Sequence, residues 1–140
     1  EGLSQPMIQD AINFTKSNSG EETPLMSSQK GHFATSLETV KLNMKEFEKI
    51  KFHKGWIPDV FSKLPNAEWA FVHIDVDLYS PTLESLNFFY PRMAKGGVII
   101  NDDFSSPLFP GGGSSWKDFF DTVGRPYIVL DTGQAIFIND

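Results

Sequence analysis

The chain has 140 residues, enough for one domain with its own core. A net charge of −6 and a pI near 5.0 argue against nucleic acid and anionic membrane as partners. There is no cysteine, which excludes disulfides and thiolate metal sites. No apolar run is long enough to span a bilayer and no secretory signal pattern opens the chain, so the expected location is cytoplasmic. The first residue is Glu1 rather than Met, which reads as a piece of something longer.

Residues 1–34 are polar and punctuated by Gly2, Pro6, Ser17-Asn18-Ser19-Gly20 and Pro24. They read as a loop with a short helical turn over 7–14. Thr35-Ser36-Leu37-Glu38 has the form of a capping box, and Leu37, Val40, Met44 and Phe47 recur at helical spacing. The spacing predicts a helix over 36–47. Residues 49–53 alternate polar and apolar and read as a short strand ending at Gly55-Trp56. Pro58 opens a brief helix through Lys63.

The stretch from Trp69 to Tyr79 organises the rest. It is a mostly apolar run closed by Asp75 and Asp77, and reads as a strand covered on both faces. Ser80 as N-cap and Pro81 at the first position start a helix that Pro91 ends. Gly97-Val98-Ile99-Ile100-Asn101-Asp102-Asp103 then repeats the pattern of an apolar strand with an acidic tip. Residues 105–115 are rich in Pro, Gly and Ser and read as a mobile lid, with Gly111-Gly112-Gly113 as its hinge. Trp116, Phe119 and Phe120 lie on a helix over 115–123, stopped by Gly124. Two strands over 127–131 and 134–138 flank Asp131-Thr132-Gly133 and predict a closing antiparallel hairpin.

Ligands of open α/β sheets bind beyond the carboxyl ends of the strands. Two neighbouring strands would bring their acidic tips together there. Asp75, Asp102 and Asp103 then offer the oxygen ligands that hard divalent cations prefer. His73, inside the central strand, reads as a core residue rather than a ligand. The glycine triplet lacks the Lys-Ser/Thr of a P-loop. The tips alone leave an Asp-x-Asp nucleotide-sugar glycosyltransferase open as an alternative, as well as a non-catalytic fragment with a metal site.

Several motifs together resemble the macrocin O-methyltransferase family. They are Glu1-Gly2-Leu3 with Pro6, Gly55-Trp56, His73-Ile74-Asp75-Val76-Asp77-Leu78-Tyr79-Ser80-Pro81-Thr82, Tyr90-Pro91, and the run from Gly96 to Phe104. The resemblance implies a single domain over 1–140 of Rossmann-like methyltransferase type. Its sheet would be mostly parallel with a C-terminal antiparallel hairpin, and its first two strands would be missing from the chain. It implies S-adenosylmethionine and Mg²⁺ as cofactors and a sugar-like hydroxyl of a small molecule as acceptor. Mg²⁺ would fall to Asp75, Asp102 and Asp103, proton abstraction to Asp75, and the adenine end of the cofactor to Gly55 and Trp56. The family's Gly-rich cofactor loop and ribose carboxylate have no counterpart here, which implies weak cofactor binding, or none, by these residues alone. The strand edge left unpaired invites a homo-oligomer.

Overall fold

The computed structural model describes residues 2–140. A four-stranded mixed sheet forms its centre, in the order β3-β4-β6-β5. β3 (Trp69–Ile74) pairs in parallel with β4 (Met93–Asn101). β4 pairs antiparallel with β6 (Ala135–Ile138), and β6 with β5 (Ile128–Val129). The closing hairpin predicted around Asp131-Thr132-Gly133 is therefore present, with one parallel pairing beside it.

The sheet buries one face. Val72, Ile99 and Phe137 stand side by side across β3, β4 and β6, and all are buried, as are Ile74 and Ala135. They pack against α2 (Tyr79–Phe89) and α3 (Pro110–Val123) through Leu86, Trp116, Phe119 and Phe120. The alternate residues Phe71, His73 and Ile138 face outward and are exposed. This corrects the expectation of a central strand covered on both faces. β3 is the edge of this sheet, and strand alternation leaves Phe71 and His73 on its second, exposed side. His73 is accordingly not a core residue: its side chain is 42% exposed.

Four further expectations change. Residues 1–34 are not one loop. After a 3₁₀ turn over Ile8–Asp10, β1 (Ala11–Lys16) and β2 (Glu22–Met26) form an antiparallel hairpin, and the Ser-Asn-Ser-Gly cluster is its turn. The helix predicted over 36–47 is shorter: α1 spans Leu37–Asn43. Its N-cap is Ser36, whose hydroxyl accepts from Thr39 N at 3.0 Å. Residues 49–53 form no strand, because among the described residues no strand lies beside them to take their backbone hydrogen bonds. Finally, α2 begins at Tyr79, with Leu78 as N-cap, so Ser80 and Pro81 lie inside its first turn.

The second half of the predicted lid, residues 110–115, is instead the start of α3, and 105–109 form a loop before it. Gly111, Gly112 and Gly113 are buried in its first turn. A Cβ on Gly113 would overlap the Phe104 carbonyl oxygen, and one on Gly112 would lie 2.8 Å from Asp103 Cβ. The triplet permits close approach of the helix to the acidic tip rather than a hinge motion. Gly124 ends α3 in the left-handed conformation at φ 66°, as its position predicted.

Candidate active site

The two acidic tips meet, with a membership that differs from the expected trio. Asp75, Asp77 and Asp103 each bring a carboxylate oxygen within 4.8 Å of the others. Asp77 sits in the left-handed region at φ 63°, an unusual place for a residue with a Cβ that Asp tolerates better than most. That local reversal keeps its carboxylate at the cluster. Its backbone N–H donates to Asp103 Oδ2 at 2.9 Å, locking the two tips together.

Asp102 stands apart from this group. Its Oδ1 accepts from Gln134 Nε2 at 2.6 Å and lies 3.2 Å from His73 Nε2. Asp102 and Asp103 are adjacent, so their side chains leave the strand end in different directions. The structure thus places Asp75 with Asp103, adds Asp77, and turns Asp102 toward the outer side of the sheet.

Asn101 supports the tip from below. It is 1% exposed, and its Oδ1 accepts from Asp103 N at 3.1 Å. Its Nδ2 donates to Gly112 O at 2.9 Å, so a single buried amide couples strand end and helix start. Asp102 N donates to Ile74 O at 3.0 Å, closing the parallel pair beside the site. Sequence reading gave Asn101 no role; a lone polar residue ending an apolar strand was the signal available.

The cluster carries unbalanced negative charge. Burial, then the Asp77 carboxylate, push Asp103 up to about 6, while the Asp77 N–H pulls the other way. Asp77 is also raised, by burial first and then by Asp75 and Asp102. Among the described residues no Lys or Arg forms an ion pair with Asp75, Asp77 or Asp103. Three convergent carboxylates with no protein cation form an all-oxygen donor set, which fits a hard divalent cation.

A cleft of about 280 Å³ opens beside the cluster. Asp75, Asp77, Gly2, Leu3, Gly55 and Trp56 line it, with Phe33 among the others. Three motifs separated along the chain therefore share one concavity. A second hollow of about 250 Å³ adjoins it across Gly2, Gly55 and Trp56 and continues toward His53 and Lys54.

Sheet, helices and acidic strand ends together define an α/β domain with its candidate site at the carboxyl ends of two parallel strands. The chain superposes on the O-methyltransferase NovP with a TM-score of 0.65 at 23% identity, covering 76% of this chain and 46% of that one. Residues 10–131 match the family described as Macrocin-O-methyltransferase (TylF), and the chain belongs to that family. It is 32% identical over 79 residues to the 8-demethyl-8-(2,3-dimethoxy-alpha-L-rhamnosyl)-tetracenomycin-C 4'-O-methyltransferase of Streptomyces olivaceus, covering 54% of this chain and 30% of that enzyme. It is 34% identical over 77 residues to the mycinamicin III 3''-O-methyltransferase of Micromonospora griseorubida, covering 52% of this chain and 30% of that enzyme. The chain thus spans about a third of the length of these relatives. No helix among the described residues is long and apolar enough to cross a membrane.

Proposed function

We propose that this chain forms the cation- and acceptor-binding side of an S-adenosylmethionine-dependent O-methyltransferase acting on a sugar-like hydroxyl of a small molecule. The observation that carries the reading is the convergence of Asp75, Asp77 and Asp103, the first two lining a cleft shared with Gly55 and Trp56. Family membership and the O-methyltransferase names of the relatives supply the reaction type. They favour it over the nucleotide-sugar glycosyltransferase that Asp-x-Asp alone leaves open.

When bound, the divalent cation supplies Lewis acidity toward the hydroxyl, and S-adenosylmethionine supplies the methyl group. Asp77 and Asp103, braced by the Asp77 N–H bond, would hold the cation together with Asp75. Asp75 is the most exposed of the three and lines the cleft, which supports giving it the role of accepting the hydroxyl proton. Trp56, 36% exposed and lining the same cleft, offers an apolar surface to a flat ring. Positioning a hydroxyl in this cleft lowers the entropic part of the barrier.

The test is transfer of labelled methyl from S-adenosylmethionine, supplied at millimolar concentration to load a weak cofactor site, to a deoxysugar-bearing acceptor, with Mg²⁺ and with chelator. The proposal expects Mg²⁺-dependent product that Asp75→Asn abolishes. Transfer of a glycosyl group from a nucleotide-sugar, with no methyl transfer, would overturn it.

A further inference from the structure

We propose that Asp10 is a positioning residue that fixes the loop carrying Asp75 and Asp77. Its functional meaning rests on the cation site proposed above, but its structural basis is separate.

Asp10 is 3% exposed and distant in sequence from the acidic tips. Both carboxylate oxygens are used. Oδ1 accepts from Tyr79 N at 2.7 Å, and Oδ2 from Met7 N at 2.7 Å. Tyr79 is the first residue of α2, and the N-cap Leu78 offers no side-chain acceptor to that helix. Asp10 therefore caps α2 from outside, where the first-turn N–H groups otherwise lack partners. Its negative charge also suits the positive end of the helix dipole.

The position of that cap gives it a consequence for the site. Only Asp75, Val76, Asp77 and Leu78 separate the end of β3 from Tyr79. Asp77 holds a left-handed φ of 63° within this short span, and Leu78 N donates to Val76 O at 2.6 Å. The loop is tied at its middle by Asp103 and at its exit by Asp10. Without the exit tie, the strained Asp77 conformation loses one of the three bonds that hold the loop around it.

α3 seals the arrangement. A Cβ at Gly111 would overlap Asp10 Oδ1 and lie 2.7 Å from Tyr79 N, so only glycine lets the helix close over this bond. The 3₁₀ turn at Ile8–Asp10, the start of α2 and the start of α3 thus meet at one carboxylate. Glycine at 111 and aspartate at 10 are explained together.

The test compares wild type, Asp10→Asn and Asp10→Ala in two readouts: Mg²⁺ affinity by calorimetry and residue-level amide exchange. Gly124→Ala serves as control, since its φ of 66° makes alanine strained there while no atom lies within 4 Å of the new Cβ. Asn keeps the shape but can accept from only one of the two N–H groups. Expected are exchange at Tyr79 and Asp77 faster by about tenfold, the equivalent of one hydrogen bond to a charged group, and weaker Mg²⁺ binding in both Asp10 variants. Gly124→Ala should lower global stability and leave Mg²⁺ affinity unchanged. Wild-type affinity and wild-type protection at Asp77 and Tyr79 in Asp10→Asn would overturn the proposal. So would an equal loss of affinity in Gly124→Ala. If wild type itself binds no Mg²⁺, the cation reading fails separately, and amide exchange decides: acceleration confined to 75–79 supports the positioning role, and uniform acceleration overturns it. If Asp10→Ala does not fold, Asp10→Asn decides.

Discussion

Gly113→Ala separates a buried helix start from a mobile lid. In an ordinary helix interior, Gly→Ala stabilises by about 1 kcal/mol through backbone entropy. In a mobile loop that tolerates alanine, the same change stabilises by about 0.4–1 kcal/mol through the unfolded chain. At Gly113 the new Cβ would overlap Phe104 O and lie 3.1 Å from Phe104 C. The obstacle is backbone, in the turn that follows Asp103, and cannot rotate away as a side chain would. Overpacking of this kind costs about 1–3 kcal/mol, and taking its upper part against the propensity gain leaves a net loss of about 1–2 kcal/mol. An unfolding entropy of about 2.1 cal/mol/K per residue gives roughly 0.3 kcal/mol/K for a chain of 140 residues. The expected fall in Tm is therefore about 3–7 °C. Thermal unfolding followed by far-UV circular dichroism reads it directly. An unchanged or raised Tm would refute the packing argument, because the sign alone distinguishes the two settings.

Leu86 is fully buried between α2 and the sheet, and Leu86→Ala should cost about 2–5 kcal/mol in denaturant unfolding; a loss below 1 would contradict that packing. Asp103 gives a pH dependence. Its carboxyl rises from 3.8 to about 6 on folding, so the folded state holds the proton more tightly. The cation-free chain should lose stability from this group as pH climbs from 3.8 to about 6, and Asp103→Asn should flatten that part of the profile. Cation and proton compete for the same oxygens, so Mg²⁺ affinity should fall as pH drops below about 6; affinity constant down to pH 4.5 would count against Asp103 as a ligand. Gln134→Leu removes the 2.6 Å bond to Asp102 and should destabilise by about 1 kcal/mol, measured by chemical unfolding, with no effect if that bond is idle.

The architecture around the site was largely legible in the sequence, and its particulars much less so. Apolar runs ending in Asp, a Gly at the end of α3 and the Asp-Thr-Gly hairpin turn are local signals, and each stands in the structure where it was read. The core role of Trp116, Phe119 and Phe120 follows from helical spacing in the same way. The glycine triplet misled because composition reports freedom of the backbone, whereas the need for glycine here comes from Asp10, Asp103 and Phe104 approaching from elsewhere. Residues 49–53 alternate as a strand does, but alternation cannot supply a pairing partner. The exchange of Asp77 for Asp102 in the cluster turns on one left-handed residue, and strand periodicity carries no information past the end of the strand. Asp10 was invisible because its partners are backbone N–H groups, one of them Tyr79, far along the chain.

The central claim is that Asp75, Asp77 and Asp103 form one divalent-cation site with Asp102 outside it. Calorimetric titration of Mg²⁺ into wild type and the four single Asp→Asn variants tests it most directly. The account predicts affinity reduced by about tenfold or more in Asp75→Asn, Asp77→Asn and Asp103→Asn, the scale of one lost charge-assisted contact, and a smaller change in Asp102→Asn. Equal affinity in all five proteins, or a loss confined to Asp102→Asn, would contradict it.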